Sequence, residues 1–341
     1  MGRDERPGAQ TASPPQIDVP SGAQKSRPDC EPGTAATLAD RLGMPSDALV
    51  RLADEHTMAV QAWLSTRARH AARFDGLGVT AGSSGYMVTL LNLALGANYP
   101  PGTSDAFISS EIEAVKAFFA DRGVPWYWWL GPRPHPPDMG KRLERHGLAF
   151  DRSSLPALVA PLPARCPPLN PRAQVWQAAS RTDLAAASAI RRIAFRFPEG
   201  TALDYFEAMA EDWLRGSPAR LYLARLPGGP PAAIGALILG AGVPGVYVMA
   251  TLPQWGRRGL GKAILARVLS DAAADGHTSI VLTASRFGYP LYRQFGFQHV
   301  FDYRIAAIRA IHRPANADER AQAQGYMQDR KRDAGGAKHG P

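Results

Sequence analysis

The stretch LPQWGRRGLGKAIL, residues 252–265, constrains this chain more than any other. Residues 256–262 gather three glycines and three cations, with an apolar run before them and an amphipathic run after. A strand that turns through glycines into a helix leaves backbone N–H groups without intrahelical partners, and the helix dipole favours an anion there. Glycine lets that anion approach the backbone closely. Arg257, Arg258 and Lys262 add positive charge. Such a loop suits a phosphate and demands an α/β arrangement around it.

The sequence on either side supplies that arrangement. AQVWQAA reads as a strand, RTDLAAASAIRRIAF as a helix starting near Arg181 or Thr182, and LDYFEAMAEDWLR as a second helix. ARLYLARL, AAIGALILG and GVYVMATL read as strands divided by PGGPP and AGVPG turns. After the loop come the helix LGKAILARVLSDAAADG, the strand TSIVLTAS, the short helix YPLYRQFG and final strands in FQHVFDYRIAAI. The predicted order is β-α-α-β-β-β-α-β-α-β.

Residues 114–150 echo the end of this series. AVKAFFADRG, VPWYWWLG and RLERHGLAF parallel AILARVLSDAAADG, TSIVLTAS and LYRQFGFQHV at a period of about 150 residues. A period of that size predicts two copies of one domain rather than a solenoid. The Pro-rich stretch PLPARCPPLNPR, 161–172, is expected to be the linker between a first domain at 35–160 and a second at 173–312. Residues 1–34 and 313–341, poor in large apolar side chains, are predicted to be disordered.

The net charge of +9 suits anionic partners. The basic residues are scattered without long runs, so neither nucleic acid nor a membrane is expected as a partner. Residues 76–104 and 227–256 are uncharged but broken by Gly and Pro, and each reads as a pair of buried strands joined by a turn. The two cysteines, Cys30 and Cys166, have no metal-type spacing. MGRDERPGAQ lacks the apolar core of a signal peptide, so a cytoplasmic location is expected.

Three phosphate-loop readings compete. The nucleotide P-loop, G-x-x-x-x-G-K-[ST], is followed from Gly256 to Lys262 and fails at Ala263, where a hydroxyl must meet Mg²⁺. The dinucleotide fingerprint G-x-G-x-x-G appears in reversed order, and no acidic residue closes the following strand. The third reading is coenzyme A. GVYVMATLP, RRGLGKAIL and YPLYRQFGF together resemble the GNAT acetyltransferase superfamily. Gly259 and Gly261 match the glycines of its loop pattern Q/R-x-x-G-x-G/A, while Gly256 stands at its first position. The second signature, L-Y-x-x-x-G-F, is complete at Leu291, Tyr292, Gly296 and Phe297.

The resemblance covers residues 173–308 and implies a mixed-sheet domain of the α/β (α+β) class, with acetyl-CoA as cosubstrate and no metal; with the internal echo, two such domains in tandem are expected. It implies that Arg257, Arg258, Gly259, Leu260, Gly261, Lys262 and Ala263 cradle the pyrophosphate. A bulge would splay the strand GVYVMATL from TSIVLTAS, and backbone groups of Met249, Ala250 and Thr251 would bind the pantetheine and the thioester carbonyl. Ser285 falls where relatives carry a polar residue facing the cofactor. Tyr292 is implied as general acid toward the departing thiolate, Tyr289 is expected to be structural, and an amine acceptor would attack directly. Glu199 is the first candidate base, with Asp204 and Glu207 behind it, and His299 is expected to be a strand residue. The acceptor is a small molecule or a peptide, and a homodimer is compatible with this reading. The first copy is expected to be degenerate, with Glu111 and Glu113 near its helix start and Leu143 in place of the tyrosine. The rival reading is a non-catalytic acyl-CoA-binding regulator.

Overall fold

The computed structural model describes residues 33–197 and 205–308. The expected disordered segments fall outside these residues, except that the first helix already begins at Gly33. In the first half, α1 (Gly33–Leu42) and α2 (Ser46–Ser65) precede strands β1 (Ala72–Asp75), β2 (Val79–Ser83) and β3 (Asn92–Gly96). Then come α3 (Asp105–Ala120), β4 (Tyr127–Leu130), α4 (Met139–Arg145) and β5 (Leu148–Pro161). The second half opens with β6 (Gln174–Gln177), α5 (Arg181–Ala194), α6 (Tyr205–Ala208) and α7 (Ala210–Arg215). It continues with β7 (Ala219–Arg225), β8 (Ala233–Gly240), β9 (Val243–Thr251), α8 (Leu260–Ala274), β10 (Ser279–Thr283), α9 (Tyr289–Gln294) and β11 (Gln298–Ile308). From α1 to β5 and from α5 to β11 the same series recurs, with the helix expected over 203–215 divided at Met209.

The two halves share one 11-stranded sheet in the order β1-β2-β3-β4-β11-β5-β10-β9-β8-β7-β6. With β5 matched to β11 and β4 to β10, this order reads the same from both sides of the β11–β5 seam, with β6 added at one edge. The last strands are exchanged. β11 lies against β4 of the first half, antiparallel, with Ile305 opposite Trp129. β5 lies against β10 of the second, antiparallel, with Val159 opposite Val281. The tandem arrangement is therefore one continuous sheet, and the whole of residues 33–307 belongs to one compact unit.

α2 is buried inside the curve of that sheet. A Cβ at Gly82 on β2 would strike Ser65, and one at Gly240 on β8 would strike Val60 at 2.5 Å. Ser65 and Val60 are five positions apart, about 7.5 Å along a helix, whereas seven strand spacings in a flat sheet span roughly 33 Å. Only a strongly bent sheet meets both. Leu49, Ala53, His56, Thr57, Val60, Leu64 and Ser65 are all buried along α2. His56 is fully buried, and its Nδ1–H donates to the carbonyls of Gly240 (3.1 Å) and Val243 (3.0 Å), tying α2 to the turn between β8 and β9. On the same helix Asp54 accepts a 2.7 Å hydrogen bond from the Tyr303 hydroxyl of β11.

Capping explains the start of α5. Ser180 accepts from the Asp183 N–H, and Asp183 answers the Ser180 N–H, a capping box one residue ahead of the expected start. The stretch 162–172 packs on α8 instead of hanging free: it borders a cavity of about 580 Å³ shared with the Ala263, Ala266 and Ala273 face of that helix.

Burial lowers the pKa of His56 from 6.5 to about 4. The native state thus holds the neutral ring, and the unfolded chain takes up the proton first. The stabilisation from this residue is full above pH 6.5 and is lost as pH falls toward 4. Between pH 7 and 5 the unaltered protein should lose about 2 kcal/mol more than His56→Gln in denaturant unfolding. Equal losses in the two proteins would show that the ring is not held neutral.

Candidate active site

Three elements of the second half converge at the loop. The Leu291 side chain on α9 and the Thr251 hydroxyl at the end of β9 lie 3.9 and 3.6 Å from where a Gly261 Cβ would stand. Strand end, helix start and short helix therefore meet at one residue without a side chain.

β9 carries the expected bulge. Ile234 opposes Ala250 while Ala236 opposes Tyr247, so Gly235 alone faces Val248 and Met249. Val248 sits at φ +55°, a left-handed conformation that is a genuine outlier for a β-branched residue. Gly235 leaves room for the Met249 thioether, which a side chain there would meet. On its other edge β9 pairs with β10 only at Gly245–Val281. Past that point the two parallel strands part, and the β10-facing groups of Met249, Ala250 and Thr251 have no ladder partner on that side.

The helix beyond is open at its N-terminus. α8 has Gly259 as N-cap at φ +84°, with no side-chain cap. The N–H groups of residues 257–262 find no hydrogen-bond acceptor among the described residues. The Ala263 N–H donates to the Gly259 carbonyl at 3.0 Å, and its side chain is buried. Ala263 thus closes the first turn and brings no free donor, which shortens the expected cradle by one residue. Arg257, Arg258 and Lys262 form no ion pair among the described residues; Arg258 lies 4.9 Å over the Trp255 ring.

Asn170, which sequence reasoning passed over as linker, braces this loop. Its amide donates to the Arg258 carbonyl at 2.8 Å, and its Cβ lies 2.8 Å from where a Gly259 Cβ would stand. Gly259 is thus required twice, by its φ and by this contact.

Tyr292 on α9 is 7% exposed and packs edge-on against Phe297 at 5.9 Å. Its hydroxyl makes no hydrogen bond among the described residues, and burial pushes its pKa well above the ordinary tyrosine range. A protonated hydroxyl without a partner is a proton donor in waiting. Ser285 is exposed, and its Oγ accepts the Gly288 N–H at 3.2 Å. This is a turn cap at the entry to α9. Glu207 on α6 pairs with Arg181. Glu199 and Asp204 lie outside the described residues. His299 on β11 faces Asp302 at 3.3 Å.

The first half has the same elements without the opening. β3 and β4 pair through Leu93–Tyr127, Ala94–Trp128 and Leu95–Trp129, and the Trp128 indole N–H donates to the Gly96 carbonyl at 2.8 Å. α3 is capped by Ser104, which accepts from Phe107, and Asp105 occupies its first turn. Glu111 and Glu113 stand in the middle of that helix, not near its start as expected. Glu111 is buried and accepts from the N–H groups of Leu77 (2.7 Å) and Gly78 (3.1 Å), while Glu113 pairs with Lys116. Leu143 is fully buried in the core of this half.

Residues 172–289 match the sequence model of the Acetyltransferase (GNAT) domain. No curated protein matches the chain. Among solved structures of similar fold is a GCN5-related N-acetyltransferase from Kribbella flavida, 21% identical, covering 77% of this chain and 96% of that one at a TM-score of 0.56. A GCN5-related N-acetyltransferase from Sphaerobacter thermophilus is 17% identical over 70% of this chain and 83% of that one, with a TM-score of 0.53. A tandem GNAT protein from the clavulanic acid biosynthesis pathway is 11% identical over 81% of this chain and 94% of that one, with a TM-score of 0.52. Residues 172–289 thus match the GNAT acetyltransferase domain, and the fold of the chain is similar to that of a tandem GNAT protein. Among the described residues, no helix is long and apolar enough to cross a membrane.

Arg257 sits at φ +59°, a conformation glycine adopts freely, while Gly256 beside it takes an ordinary φ of −59°. Exchanging the two, Gly256→Arg with Arg257→Gly, should relieve about 1 kcal/mol of backbone strain and restore the family's first loop residue. Acetyl-CoA should then bind about fivefold more tightly by calorimetry. Gly259→Ala should weaken binding at least tenfold in the same assay.

Proposed function

We propose that the second half is an acetyl-CoA-dependent N-acetyltransferase in which an amine attacks the thioester directly. The observation that carries this reading is the meeting, at Gly261, of the end of the parted strand β9 and the uncapped start of α8 with Leu291 of α9, the helix that also carries the buried Tyr292.

The free N–H groups of residues 258–262, with Arg257, Arg258 and Lys262, would hold the pyrophosphate. Glycine at 259 and 261 allows its close approach. The parted edge of β9 would take the pantetheine arm into the sheet, where its amides find the acceptors and donors that β10 leaves free. A backbone N–H at the bulge would face the thioester oxygen and stabilise the negative charge that develops as the amine nitrogen bonds to the carbonyl carbon. The C–S bond then breaks, the Tyr292 hydroxyl gives its proton to the thiolate sulfur, and the second proton that the nitrogen sheds on becoming an amide returns to the tyrosine through solvent. Burial keeps that hydroxyl protonated through the neutral range. Glu199 is the carboxylate assigned to take the proton of the ammonium acceptor. Glu207 is tied to Arg181 and is no longer a base in this scheme.

The rival reading, a non-catalytic acyl-CoA-binding regulator, separates from this one at Tyr292. Tyr292→Phe should bind acetyl-CoA within twofold of the unaltered chain and lose at least a hundredfold in kcat, measured as thiol release with an amine panel. Unchanged turnover would remove Tyr292 from the mechanism. Tight acetyl-CoA binding with no turnover by the unaltered chain would favour the regulator. In the active enzyme, titration of Tyr292 should produce no alkaline fall in kcat below pH 10, because its pKa is raised.

A further inference from the structure

We propose that a cavity at the seam between the halves, bordered by Arg41, Arg165, Arg293 and Gln298, binds a small phosphate-bearing anion at a site separate from the glycine loop. The cavity has a volume of about 290 Å³, and no carboxylate lines it. Its three arginines come from three different places: the last turn of α1, the Pro-rich stretch between the halves, and α9. None of residues 256–262 borders it.

Elsewhere many arginines of this chain are neutralised. Arg142 pairs with Asp105 and Asp138, Arg220 with Asp275, Arg267 with Asp271 and Arg215 with Glu211. Arg41, Arg165 and Arg293 form no ion pair among the described residues. The one hydrogen bond among them runs from Arg293 Nη1 to the Phe297 carbonyl at 3.0 Å. Three like charges around one hollow repel each other, and the repulsion is relieved by an anion that enters it.

The hollow also has the right floor and wall. Phe295 and Phe297 are fully buried beneath it and give it an apolar floor. The Gln298 Oε1 is buried with no hydrogen-bond partner among the described residues. Guanidinium forks match phosphate oxygens two at a time. The volume admits a small molecule and excludes a folded partner.

The location gives occupancy a consequence. Arg293 directly follows Tyr292 on a six-residue helix, and Phe297 is the ring against which Tyr292 packs. An anion held by all three arginines would tie α9 to α1 of the first half, and through it the tyrosine.

The test is calorimetric titration of the full chain with inorganic pyrophosphate at constant ionic strength. Arg257→Gln, Arg258→Gln and Lys262→Gln together form the background, which strips the loop of its cations. One site per chain is expected. Adding Arg41→Gln and Arg165→Gln should weaken it at least tenfold while leaving the melting temperature unchanged, as these side chains are exposed. Equal affinity with and without the cavity substitutions, or no binding to the loop-substituted background, overturns the proposal. Acetyl-CoA titration of Arg41→Gln/Arg165→Gln in the otherwise unaltered chain should match the parent. A parent that fails to bind acetyl-CoA would overturn the acetyltransferase reading and leave the pyrophosphate result to stand by itself.

Discussion

The exchange of the last strands at the centre of the sheet is the constraint on which the rest of this molecule depends. β11 completes the ladder beside β4, and β5 completes the ladder beside β10. Each half therefore lacks an inner strand unless the other supplies it, and an unfilled position would expose two unpaired strand edges. The exchange also brings the two sheets into one curved surface around α2. That helix carries buried polar groups which are satisfied from both sides: His56 by the β8–β9 turn, Asp54 by Tyr303 of β11. The first half is thereby the frame of the second.

The frame holds a strained site. Val248 at φ +55°, Arg257 at φ +59° and Gly259 at φ +84° lie within a dozen residues of one another. Each non-glycine residue in that region costs about 1–3 kcal/mol and persists only where its surroundings over-determine it. Here the surroundings are the β8 ladder on one side, Asn170 on the other and α8 behind. The first half shows what the same topology looks like without this arrangement. Its β3 and β4 stay paired, its helix is capped by its own serine, and its equivalent of Tyr292 is a core leucine. Two copies of one fold thus differ in whether a gap is held open, and fold alone does not decide the activity.

The elements of the second half were legible because each carries a local signal. Apolar periodicity marked α5 and α8, alternation and turn residues marked β7 to β9, and glycines marked the loop. The helix start expected near Arg181 or Thr182 falls at Arg181, with Ser180 as its cap. The division of α6 from α7 left no local mark, since YFEAMAEDWLR has an unbroken helical pattern. Glu111 was misplaced because helix starts are set by caps: Ser104 caps α3 well ahead of both Glu111 and Glu113. Asn170, His56, Asp54 and the three arginines of the seam cavity each act on residues far away in the chain, by 88 positions for Asn170 and 184 for His56. No spacing rule reaches that far.

The sequence by itself determined the element order, the duplication, the phosphate loop and the family motifs, because all of these are written in runs of neighbouring residues. Only the tertiary structure decided which strand completes which sheet, since β5 and β11 read alike and either could have paired within its own half. It also decided that the first copy's strands close over the place where the second copy's strands part. Strand pairing is a contest between distant segments for the same ladder, and its outcome rests on contacts between residues far apart in the chain, which no local stretch records.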